Sequence, residues 1–239
     1  MPITALRQRL HRSLNLAPEE LPALLWAFAY FFCLLCSYYL LRPLRDAMGI
    51  AGGVDKLQWL FTATFVVMLV AVPVYGWAVA RFRRARLLPV VYGFFVANLL
   101  LFFVLFRASA EHSIVEHTSL AQLFFVWVSV YNLFVVSVFW SFMADVFSPE
   151  RAQRLFAVIA AGGTTGALVG PALAAACSQI FDPATLLLLA AITLAATLVC
   201  VSRLARWAQA DAHRQHANSR CGQGSFCPRQ WHRHRRVHT

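Results

Sequence analysis

Apolar residues in this chain gather in six blocks of 19 or more positions, and nearly all the charge falls between them. The blocks are Leu21–Leu41, Leu57–Ala80, Leu87–Phe106, Leu120–Ala144, Leu155–Ala176 and Ala184–Ser202. About 20 apolar residues at about 1.5 Å each cross the roughly 30 Å hydrocarbon core of a bilayer. Lipid offers no hydrogen bonds, so a segment there must satisfy its own backbone, and each block predicts a helix. The expectation is an all-α membrane protein with six transmembrane helices in one domain over residues 21–206. A cytoplasmic lead over residues 1–20 precedes it, and a basic, disordered tail over 207–239 follows.

The interruptions have their own chemistry. Arg42-Pro43-Leu44-Arg45-Asp46 ends the first block abruptly, and Gly49, Gly52 and Gly53 predict a short loop. Pro73 and Gly76 predict a bend in the second block. Asp182-Pro183 predicts the start of the sixth helix.

Composition sharpens this picture. The chain is 60% hydrophobic and 13% charged, too apolar for an ordinary soluble domain. Its net charge of +11 does not imply nucleic acid, because the basic residues sit in loops and tail without an aromatic groove for base stacking. With the N-terminus inside, the inner segments before the tail hold eleven basic residues and the outer ones four. That bias predicts cytoplasmic N- and C-termini, and a bacterial inner membrane is the expected location. Cys33 and Cys36 have C-x-x-C spacing within an apolar block, where small packing residues are expected rather than a redox pair. His232, His234 and His238 stand among Arg233, Arg235 and Arg236, a strip that repels cations, so neither metal nor cofactor is expected. The chain lacks G-x-S-x-G, H-E-x-x-H and a phosphate-cradling glycine loop with its lysine, and is not expected to be an enzyme.

Arg42, Arg45 and Asp46, with Tyr39 beside them, are the leading binding candidates. The arginines break the positive-inside pattern, and their guanidinium forks match the oxygens of a carboxylate or phosphate, which predicts a small anionic substrate. Asp46 would orient them or release them between states. Snorkelling arginines that anchor a helix end are the alternative. Asn132 is a candidate for the same cavity, and Asn98 for a cross-link between helices. Asp145, Glu150, Arg151 and Arg154 are expected to face Arg81–Arg86, with Arg81 and Arg84 foremost, and to open and close the inner face.

The fifth block, LFAVIAAGGTTGALVGPALAAA, carries a face without bulk that lets a neighbouring helix approach closely. Its Gly166-x-x-x-Gly170-Pro171-x-x-Ala174-Ala175 resembles the fifth-helix motif of major facilitator superfamily transporters. Gly76-Trp77-Ala78-Val79-Ala80-Arg81-Phe82-Arg83-Arg84 resembles that family's loop between helices 2 and 3, departing at Ala80, where an Asp is usual, and at Arg83, where a Gly is usual. Tyr38-Tyr39-Leu40-Leu41-Arg42-Pro43-Leu44-Arg45-Asp46 more loosely resembles the ATP/ADP translocase branch. The resemblance implies half of a major facilitator-type bundle, working by alternating access. It assigns gating to Gly76, Arg81, Arg84, Asp145, Arg151, Gly166, Gly170 and Pro171, and nucleotide exchange is the narrower activity it suggests. It also implies a second six-helix half, as a homodimer or a separate chain. The competing expectation is a truncated, non-transporting fragment.

Overall fold

The computed structural model describes residues 20–51, 53–82, 84–109, 114–180, 182 and 184–222. Within the helices, the side chains of 51, 54–56, 84–86, 109, 114–118 and 215–222 lie outside that description. Six helices follow one another: α1 Leu21–Ala51, α2 Val54–Arg81, α3 Arg84–Ser109, α4 Ile114–Val146, α5 Pro149–Ser178 and α6 Ala184–Gly222. Each contains a stretch long and apolar enough to cross a membrane. The chain is an all-α integral membrane protein with the architecture of a six-helix half-bundle.

The helices run past the limits of the apolar blocks. α1 does not end at Leu41; it continues through Pro43 to Ala51. Pro43 removes only the bond that the Tyr39 carbonyl would accept. Leu41 and Leu44 on either side of it are buried, so packing holds the helix across the gap. α6 likewise runs beyond Ser202 to Gly222, so residues 207–222 are helical rather than a disordered tail. Residues 1–19 of the expected lead and 223–239 of the expected tail lie outside the described residues. The loop between α1 and α2 closes at Gly53, whose φ of 99° is left-handed and whose N–H donates to the Ile50 carbonyl at 3.0 Å.

α1 is the central element. It packs most extensively on α5, then on α6 and α4, while α3 closes against α6 and α2 lies mainly on α4. The α1–α5 seam explains the small residues of the fifth block. Gly162, Gly163, Gly166 and Gly170 are all buried there. A Cβ on Gly166 would lie 2.4 Å from the Phe32 carbonyl oxygen, and one on Gly162 would lie 2.6 Å from that of Phe28. The two backbones touch, and only glycine fits.

Polar side chains in the interior are paired, as hydroxyls out of reach of water must be. Tyr30 of α1 and Tyr92 of α3 share a hydrogen bond through their hydroxyls. Ser37 donates to the Ala190 carbonyl of α6 at 2.8 Å, so it accepts from the Tyr131 hydroxyl of α4 at 3.0 Å. These bonds tie α1 to three partners and make the bundle one body.

Candidate functional site

A tightly held charged group lies near the C-terminal end of α1. Arg45 is only 17% exposed through its side chain, whereas Arg42, one turn earlier, is exposed. The Arg45 guanidinium lies over the Phe125 ring of α4, 4.9 Å from its centroid. Its Nη1 donates to Ser129 Oγ at 3.3 Å. Its Nε and Nη2 both donate to Asp46 Oδ1, at 3.0 and 2.7 Å. Ser129 spends its own hydroxyl proton on the Phe125 carbonyl at 3.0 Å, which turns its lone pairs toward the arginine. Arg45 is therefore aimed by a ring, a hydroxyl and a carboxylate.

Its neighbours fit an anion better than a cation. Arg42 lies over the Tyr39 ring at 5.5 Å. Two arginines and one carboxylate stand at this helix end, which leaves the cluster with an excess positive charge. Asp46 is 48% exposed and holds the Nε/Nη2 edge of Arg45, the edge an incoming oxyanion would take. Asn132 lies one turn beyond Ser129 on α4, half-buried and without a hydrogen bond among the described residues. Tyr39, Arg42, Arg45 and Asp46 thus share one helix end, and Asn132 flanks it from α4. Asn98 bonds the Phe94 carbonyl of its own helix at 2.8 Å and cross-links nothing.

The opposite end of the bundle holds the other expected group. Arg151 stands at the start of α5. It bridges Glu20 at 2.9 Å and Asp211 at 2.7 Å. This clamp joins the first residue before α1, the first turn of α5 and the extension of α6. Arg81 is exposed at the end of α2, Asp145 is exposed at the end of α4, and the Arg84 side chain lies outside the described residues. Gly76 has open space around it, with no atom within 4 Å of a built Cβ. Gly166 and Gly170 are buried against α1, and Pro171 lies within a helix that runs unbroken to Ser178.

Sequence reasoning missed Phe125, Ser129, Glu20 and Asp211. Phe125 and Ser129 sit four apart on α4, the spacing at which a hydroxyl can reach back to a carbonyl. That spacing marks a helix but gives no hint of Arg45.

The sequence profile of the Major Facilitator Superfamily matches residues 23–226. The chain belongs to that superfamily. The match covers all six helices, including the part of α6 beyond the apolar block. No individual curated protein and no solved structure matches the chain. Membership in the Major Facilitator Superfamily makes the six-helix domain a membrane transporter fold rather than a catalytic one. In such folds substrate sites lie between repeats, and access alternates as one bundle rocks against another. The cross-linked interior of α1, α3, α4 and α6 suits a body that moves as a unit.

Proposed function

We propose that this protein carries out secondary transport of a small organic anion by alternating access, with nucleotide exchange as the narrower form of the reading. The carrying observation is Arg45, held by Phe125, Ser129 and Asp46 at a helix end where Arg42 adds a second positive charge. In this reading the anion's oxygens take the Nε/Nη2 edge of Arg45, and Asp46 is released toward solvent. Arg42 gives the second fork, Tyr39 packs beside it, and Asn132 donates its amide. When the anion leaves, Asp46 returns and neutralises Arg45, so the empty carrier does not carry an unpaired buried cation through its conformational change.

The cavity needs an opposing wall. α2 supports a second six-helix half: Trp59, Phe61, Phe65, Leu69, Val70 and Trp77 are all exposed on it, over about half of its circumference. A second copy of this chain or a separate chain would supply that wall. The gating roles of Gly76, Arg81, Arg84, Asp145, Arg151, Gly166, Gly170 and Pro171 belong to the same reading, with Arg151 acting through its two acids. The loop charges support both termini on the cytoplasmic side, and a bacterial inner membrane belongs to the same reading.

A ligand-stabilisation screen tests the site. Nucleotides, dicarboxylates and phosphate esters are titrated against the purified protein while thermal unfolding is followed. A hit at a hundred times its dissociation constant stabilises by about 2.7 kcal/mol. Arg45→Ala removes a charge-assisted contact of about 1.5–3 kcal/mol, so affinity falls roughly tenfold to a hundredfold. An anion that stabilises wild type and Arg45→Ala equally would place the site elsewhere.

A further inference from the structure

We propose that Arg203 and Arg206 of α6, with Trp26 of α1, form a binding site for the headgroup of an anionic phospholipid. Arg203 lies over the Trp26 ring, 5.7 Å from its centroid, where the apolar part of α6 ends. Arg206 follows one turn later, and both guanidiniums are exposed. Neither pairs with a carboxylate among the described residues. Glu20 and Asp211, two acids at this end of the bundle, are engaged by Arg151.

The apolar face above the arginines is open to an acyl chain. Leu188, Ile192 and Val199 are exposed on α6. At 3.6 residues per turn, these three and the two arginines fall within an arc of about 60°. Leu188 to Val199 spans about 16 Å at about 1.5 Å per residue. That is about one leaflet of a roughly 30 Å hydrocarbon core. An apolar stripe one leaflet deep thus ends at two unpaired guanidiniums, one of them fixed on an indole that belongs at the interface. The occupant that satisfies both parts is a lipid with a net negative headgroup.

Native mass spectrometry in micelles doped with either phosphatidylglycerol or phosphatidylcholine of equal chain length tests this. Wild type should retain phosphatidylglycerol about thirtyfold over phosphatidylcholine, as two basic residues at the surface predict. Arg203→Gln/Arg206→Gln should bring the two lipids close to parity, while Arg107→Ala at the other end leaves the preference intact. A second measurement needs only wild type: the preference should shrink as salt rises from 50 to 500 mM. Equal retention of the two lipids by wild type, an undiminished preference in the double variant, or a salt-independent preference would each overturn the site.

Discussion

Gly166→Ala tests the helix seam on which the rest of the bundle is hung. The added Cβ would lie 2.4 Å from the Phe32 carbonyl oxygen and 3.0 Å from the Cys36 nitrogen. An ordinary carbon–oxygen contact is about 3.3 Å, so α1 and α5 must part locally by about 0.9 Å. Both obstructing atoms are backbone, so no side chain can swing aside. A gap of about 0.5–1 Å forfeits a quarter to a half of each van der Waals contact it opens. The neighbouring contacts of Gly162 with Phe28 and of Gly170 with Tyr39 would be lifted with it. Overpacking of this kind costs about 1–3 kcal/mol. Replacing glycine in a helix returns about 0.4–1 kcal/mol. The net loss is about 1–2 kcal/mol, or a fall in melting temperature of about 2–8 °C, using the scaling for a domain of this size. Gly76→Ala is the internal control: no atom lies within 4 Å of its Cβ, so only the helix gain remains and the melting temperature should rise slightly. Tryptophan fluorescence during heating in detergent reads both. A Gly166→Ala protein that melts at or above the wild-type temperature would refute the seam.

Three further outcomes follow from other contacts. Arg151→Ala removes the partner of a Glu20 side chain that is 6% exposed, and loosens Asp211 as well; it should destabilise by about 1–3 kcal/mol and speed tryptic cleavage of the α6 extension, and unchanged cleavage would count against the clamp. Arg151→Lys should restore less than half of that loss, because one ammonium cannot reproduce a guanidinium bridging two acids. Cys33 of α1 and Cys200 of α6 are neighbours across the α1–α6 seam; in a variant whose other cysteines are alanine, mild oxidation in detergent should join them within one chain, seen as a mobility shift reversed by reductant, and thiols that stay free would contradict the α1–α6 packing.

The helices were legible because lipid makes their rules simple: length, apolarity and a self-satisfied backbone fix six spans. The ends were less legible. Pro43 and the charges beside it look like a stop, yet Leu41 and Leu44 pack inward and carry α1 to Ala51. Gly166 and Gly170 announced a close approach, and the structure supplies α1 as the surface they approach. Arg45 and Asp46 stood out by their placement against the charge bias, but Phe125 and Ser129 lie far along the chain and look like ordinary packing residues. The Arg151 clamp was hidden for a different reason. Glu20 and Asp211 lie in segments that composition assigns outside the spans, so their acids were not weighed as partners of a loop arginine. Long-range ion pairs depend on which helix ends meet, and hydropathy does not encode that.

The most direct measurement is uptake of labelled anions into proteoliposomes preloaded with the same anion, starting with the compound that most stabilises the purified chain. Wild type should exchange it at a saturable rate, Arg45→Ala should lower kcat/KM by roughly tenfold or more, and Arg107→Ala should leave it unchanged. Saturable exchange that Arg45→Ala leaves intact would contradict the assignment of Arg45 to the anion. No exchange of any stabilising anion, with two copies shown to be present per bundle, would contradict transport itself.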